Sequence, residues 1–505
     1  MSGNLPTPSG ARRGALSAVP RQRRRAPWAP PDPLDRLTEE YREFVAAAVH
    51  PDEVAARLEA DGVSDDQSRE RYGCRNSFAL AEELYERVER AHPEPDGPAP
   101  DPWRIGLLGC LLRGVVFALP GLAHVLGAPL LTGPRDGFGL PAGTVPLLAG
   151  ALCGWTWNQG LAHRAYSWLA LGDRDACRRC LAAGAPAGAF LGTAVAFLAA
   201  RGDDAGAVAF AAGQSCYLGA ATVLLVTGRE RALLHSLSPM AAGALFALAR
   251  QVPDWSRLTL LAGSLSVVVV LAVHEVAPAL REPGTRSRRT GLSSPRSIGA
   301  PAGVPERDPS APRLSASLPY ALFGLGTGVL VLYAAVGDVI VHEGEGTVAV
   351  PAAVALTLSM GPAEWLLYRF RSDGLAGLRS TSTPGAFWRT TSVNLVQCLA
   401  GYLAALLVLA HATAALWPGA PGLDAVHLAG LLLLGAALWT GLLLQSFGAV
   451  PGAAAVCCAA ALVQTVTLAT HTGAPHLTGL LVYGAAAGLQ AALVCALLGR
   501  ATAHR

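Results

Sequence analysis

Trp103 to Leu131 reads WRIGLLGCLLRGVVFALPGLAHVLGAPLL, and Arg113 is the only charged side chain between Ile105 and Leu131. A run of this length and character suits the ~30 Å hydrocarbon core of a bilayer, which about 20 helical residues can cross. Further along the chain, eleven more apolar runs follow: 141–170, 180–200, 206–227, 232–251, 258–280, 317–341, 348–370, 391–416, 425–447, 450–471 and 476–499. The whole chain agrees with its parts. Of its 505 residues 52% are apolar and 15% charged, with a mean hydropathy of +0.37, whereas a soluble domain carries about 25% charged residues. That excludes an ordinary soluble enzyme, a disordered chain and a coiled coil. A net charge of +3 gives no case for nucleic acid.

Arginine placement orients the runs. With the N-terminus inside, the short inner segments hold 18 arginines and the outer loops hold Arg135, Arg201, Arg250 and Arg257. Cationic residues concentrate on the cytoplasmic side of membrane proteins, so twelve spans with both termini cytoplasmic are expected, in the cell (plasma) membrane. The expected fold is therefore all-α: a polytopic membrane protein of twelve transmembrane helices in two six-helix lobes, 103–280 and 317–500. Segment 281–316, rich in Arg, Ser, Pro and Gly, reads as a flexible cytoplasmic linker. Residues 1–33 read as a disordered basic tail whose Arg21, Arg23, Arg24 and Arg25 suit either anionic headgroups or plain solvent. Residues 34–92 read as a cytoplasmic unit of short amphipathic helices, with Ser64 and Gln67 as a capping box. So small a unit buries little surface alone and is expected to dock on the membrane domain or a partner.

A faint internal repeat links the lobes. Arg113-Gly114 aligns with Thr327-Gly328 at an offset of 214, and Gln159 with Glu364 at an offset of 205. Ionisable groups in lipid cost several kcal/mol and mark function by default, so the candidate cavity residues are Arg113, Asn158, Gln159, His163, Arg164, Glu364 and Arg369. Arg113 either faces a cavity or extends to the cytoplasmic interface. Gln159 and His163 share a helix face, as do Glu364 and Tyr368. Together they suggest an inward-opening, partly cationic cavity, since guanidinium groups bind oxyanions bidentately. The structural alternative is that Glu364 pairs with an arginine and the rest are interface anchors. Asp338 and Glu364 are the candidates for cation coupling. Cys177 and Cys180 form a single CxxC with no second pair, so no metal site is expected, and no cofactor. No phosphate-binding or hydrolytic signature occurs, so no enzyme activity is expected.

The stretch Gly154-Trp-Thr-Trp-Asn-Gln-Gly-Leu-Ala-His163, continuing through Leu171-Gly172-Asp173-Arg174 to Arg178-Arg179, resembles the second-to-third helix region of the MOP superfamily, the multidrug, oligosaccharidyl-lipid and polysaccharide flippases. Pro362-Ala-Glu364-Trp-Leu-Leu-Tyr-Arg369 takes the matching place in the second half, without the Gly-Asp turn. The resemblance covers roughly 103–500 in layout and about 40 residues in motif. It implies a polysaccharide-exporter-like flippase: two lobes around a central cavity, alternating access, and Arg113 and Arg164 as cationic lining. The implied partners are membrane lipids, an anionic or lipid-linked saccharide as substrate, and a cytoplasmic glycosyltransferase or other protein docked on 34–92. Two other readings stand beside it. A major-facilitator transporter would carry Gly-x-x-x-Asp-Arg-x-Gly-Arg-Arg, from which Asp173-Arg174-Asp-Ala-Cys-Arg178-Arg179 departs by one extra residue and two missing glycines. A non-transporting scaffold would use 34–92 to recruit a partner and the helices as an anchor.

Overall fold

The structure is a computed structural model. It describes residues 32–89, 91, 101, 103, 105–131, 140, 143–200, 204–281, 311–341, 350–381, 383–416, 424–470, 472 and 474–498, and among them every regular element is a helix. The expected tail at 1–33 lies outside the described residues but for its last two, and so does most of the 281–316 linker. The chain divides into two units, Met1–Pro100 and Asp101–Arg505.

In the first unit five short helices follow one another: α1 (Pro33–Glu40), α2 (Arg42–Ala47), α3 (Pro51–Ala60), α4 (Asp65–Tyr72) and α5 (Ser77–Arg87). The helical spacing of Leu37, Tyr41 and Val45 reads as one helix, but the chain breaks at Tyr41 into α1 and α2. The Ser64 hydroxyl accepts from the Gln67 amide, and the Gln67 side chain accepts in return from the Ser64 amide, which satisfies two of the orphan donors at the start of α4. Val54, Leu58, Leu80 and Leu84 are fully buried, so α3 and α5 form the centre of a core that belongs to this unit alone.

The second unit begins with α6 (Leu107–Ala118) and α7 (Ala123–Gly127), joined by a 3-10 turn at Pro120. It continues with α8 (Thr144–Ala170), α9 (Arg174–Ala199), α10 (Ala205–Val226), α11 (Glu230–Ala249) and α12 (Asp254–Arg281). After the linker come α13 (Leu318–Val341), α14 (Val350–Leu358), α15 (Met360–Ser380), α16 (Pro384–Leu416), α17 (Ala425–Ser446), α18 (Val450–Ala469) and α19 (Pro475–Leu498). Among the described residues, ten helices are long and apolar enough to cross a membrane. This is the build of a multi-pass membrane protein. Two expected spans are not among the ten. They are 141–170, which is helical as α8, and 348–370, which is helical as α14 and α15. The first carries the polar residues of α8 singled out above, which lower its hydropathy; the second is interrupted at Ser359, which leaves α14 nine residues long and gathers Glu364, Arg369 and Arg371 on α15.

Short connections turn the chain back on itself by one recurring device. At the end of α8, Gly172 takes φ 77°, a left-handed conformation that costs glycine little. The Asp173 amide then donates to the Trp168 carbonyl at 3.1 Å, closing the helix end in a Schellman turn. Asp173 also caps α9 by accepting from the Ala176 amide at 2.7 Å. The same turn joins α10 to α11 at Gly228, where the Arg229 amide donates to the Leu224 carbonyl at 2.7 Å.

Of the hydrophobic cores among the described residues of this unit, the two largest draw on residues between Val116 and Val276 and on residues between Phe323 and Leu498. Packing within each follows the same pattern: α10 and α11 both lie against α12, as α17 and α18 both lie against α19. Between them, α6 packs on α14 and α15, and α13 packs on α8.

Candidate functional site

Two seams join the halves, and the expected site residues sort themselves between them. At the first seam α6 runs antiparallel to α15. Asp101 accepts from the Ser372 hydroxyl, Trp103 stacks on Tyr368 at 6.2 Å, and Gly114 meets Gly361. The approach at Gly114 brings backbone to backbone, since a Cβ there would lie 2.8 Å from the Gly361 nitrogen. One residue earlier, the Arg113 guanidinium donates to Glu364 on α15 through Nη1 and pairs with Glu230, the first residue of α11, at 2.8 Å through Nη2. Tyr368, one turn beyond Glu364 on the same face, lies beside both Arg113 and Glu364. The Arg113 and Glu364 side chains are 29% and 23% exposed, and Glu230 is 37% exposed. The cluster therefore sits at the edge of the packed interior, with Glu230 its wettest member.

At the second seam α8 runs antiparallel to α13. Gly328 lies against Leu152, Gly324 against Gln159, and Gly160 against Ala321. His163 stacks on Tyr320 with ring centroids 3.7 Å apart, and its Nδ1 is 3.0 Å from the Ser317 hydroxyl. Arg164 donates to the Pro312 carbonyl at 3.1 Å. Part-buried polar groups of α8 thus find partners on the chain leading into α13.

The remaining candidates go elsewhere. Asn158 is buried and faces α10: its amide donates to the Gly154 carbonyl at 2.8 Å, and its oxygen accepts from Thr222 at 3.0 Å. Arg369 is exposed, 3.6 Å from Asp373 and over the Trp365 ring. Asp338 lies on α13, and its side chain is outside the described residues. The seven residues do not converge on one cavity in this conformation.

The charge arrangement differs from the expected cationic lining. Arg113 faces two carboxylates, which engage its Nη1 and Nη2 groups and offset its charge. Glu230 is the member that sequence reasoning passed over. It stands between Arg229 and Arg231 at a helix start, where an acidic residue is accounted for by the helix dipole alone. A second ion pair stands beside Glu230 in the sequence, with Arg229 Nε 2.8 Å from Glu275 on α12. No protein-family model, no curated protein and no solved structure matches the chain.

Proposed function

We propose that this chain is a membrane transporter that moves its substrate by alternating access, with α8 and the α14–α15 pair completing twelve crossings as two six-helix lobes, and with both termini on the cytoplasmic side of the cell membrane. The observation that carries this reading is the Arg113 cluster. An ion pair between α6 and α15 joins the two cores at a place where lipid-depth charge is costly, and a static anchor has no use for it. Exchange of partners across such a seam is what a rocking of two bundles requires.

The substrate class follows from the resemblance set out above: an envelope polysaccharide or lipid-linked saccharide, carried flippase-fashion without a catalytic step or cofactor. The 34–92 unit then stands outside the transport core as a docking module for a cytoplasmic partner such as a glycosyltransferase. Its separate core supports that division of labour.

The test is a scrambling assay with the purified full-length protein in sealed vesicles holding a fluorescent lipid-linked saccharide, with the outer leaflet quenched by an impermeant reductant. Wild-type vesicles should lose fluorescence beyond the outer-leaflet share, and Arg113→Ala vesicles should not. A folded wild-type protein that moves nothing would leave the scaffold reading in possession.

A further inference from the structure

Arg113 is shared by two carboxylates with different allegiances. Glu230 begins α11, whose Leu233 and Leu237 lie in the same core as Val116 of α6. Glu364 is on α15, whose Leu366 and Phe370 belong to the other core. A movement that parts α6 from α15 while α6 keeps its contact with α11 separates Arg113 from Glu364 and leaves it beside Glu230.

The break in the α14–α15 helix falls at the same place. Pro362 has no N–H to give the Leu358 carbonyl, α14 ends at Leu358, and α15 begins at Met360. That carbonyl instead faces α6, 3.1 Å from where a Gly114 Cβ would stand, and Gly361 lies against the backbone of Cys110 and Leu111. A helix missing one hydrogen bond bends there more readily than elsewhere, and Glu364 and Tyr368 are on the part that would swing.

We propose that Glu364 is a proton-operated latch: when α15 swings from α6, Arg113 stays with Glu230 and Glu364 takes up one proton. This rests on the alternating-access reading above and supplies its coupling ion. The step is the binding of one proton from water to a carboxylate oxygen, with no other bond made or broken. A carboxylate stripped of its cation at membrane depth is costly, whereas the neutral acid needs only a hydrogen bond. Arg113 escapes that cost because one partner travels with it. The other titratable groups around Glu364 are Cys110 on α6, Tyr166 on α8 and Tyr368 on α15 itself. All three are neutral over the range in which carboxylates titrate. On the far side of α15, α16 and α17 present uncharged Asn394 and Trp439, which bond to its Phe370 and Ala363 carbonyls. Because the open seam binds the proton and the closed one does not, acid favours the open form.

Hydrogen–deuterium exchange of the full-length protein in lipid nanodiscs, at about pH 5 and about pH 8, tests this without any substrate. After correction for the intrinsic chemical rate, amides in 107–117 and 359–369 should exchange about tenfold faster in acid, a population shift of about 1.4 kcal/mol. Glu364→Gln should exchange fast at both values, while Glu230→Gln and Glu364→Asp should keep the pH difference. A flat wild-type profile overturns the latch, as does a Glu364→Gln variant that keeps the difference. If the glutamine variant does not fold, the wild-type and aspartate profiles still decide. A pH-gated seam in a protein that moves no saccharide would keep the latch and sink the transport reading, so the two failures are distinguishable.

Discussion

Arg113, Glu364 and Glu230 share one set of charges, so their substitutions should differ in cost by an order the geometry fixes. Arg113→Ala leaves two carboxylates facing each other without a cation; breaking a fully buried pair costs about 3–5 kcal/mol, and this part-buried one should cost less than that. Glu364→Gln leaves Arg113 still held by Glu230 and should cost less. Glu230→Gln should cost least, because that side chain is 37% exposed and water replaces what it loses. Thermal unfolding of the three variants in one detergent checks the order, and a Glu230→Gln variant that melts below Arg113→Ala contradicts it. Outside the membrane, Tyr41 donates to Asp61 at 2.7 Å, and burial together with that hydrogen bond pushes its phenol up to about 12. The fold favours the protonated phenol, so its stabilising effect is complete below pH 10 and is lost as pH rises from there through about 12. The unfolding midpoint of fragment 32–91, followed over that window, should fall more steeply in the wild type than in Tyr41→Phe. Equal slopes would remove the hydrogen bond from the account.

At the scale of helices, one partner at each seam, α15 at the first and α8 at the second, is the helix most easily misread. Their polar residues drew attention in the sequence because they interrupt apolar runs, and the same residues pull α8 and α15 below the hydropathy of their ten neighbours. The aligned positions make comparable contacts. Glu364 meets Arg113, and the offsets of 214 and 205 carry that contact onto Thr327 and Gln159. Gln159 packs on Gly324, one turn from Thr327, and the paired Gly114 and Gly328 both lie at a seam. What no periodicity could supply is which partner each ionisable group selects. Glu230 is silent in the sequence because only tertiary packing brings α11 to α6. The closeness of α6 to α15 makes a further prediction. Gly114→Ala would set a Cβ 2.8 Å from the Gly361 nitrogen, with backbone on both sides and no side chain able to yield. It should lower stability by about 1–3 kcal/mol, against almost nothing for Gly109→Ala, which meets no neighbour. Equal melting temperatures for the two would mean that the seam is looser than described.

Across the whole molecule, contacts between ends restrict how the chain threads a bilayer. Arg113 stands two turns into α6, and Glu230 opens α11. For these two to meet near one face, an even number of crossings must separate the start of α6 from the start of α11. With α9 and α10 supplying two crossings and α6 a third, the proposed threading takes the fourth from α8. Glu364 near Arg113 places the lower part of α15 on the same side, as Arg164 with Pro312 does for the end of α8 and the approach to α13. The arginine bias of the inner segments points the same way. Everything said of the seam depends on that threading, because a polar α8 lying along the surface would move the cluster out of lipid and invert every helix after it. The direct measurement is a short epitope inserted into the full-length chain after Gly172, Gly228 or Gly448, or within 201–203 or 417–423, with antibody access scored in intact and in permeabilised cells. The first three sites should be reached only after permeabilisation and the last two in intact cells. Recognition after Gly172 in intact cells, or at all five sites alike, would contradict the account.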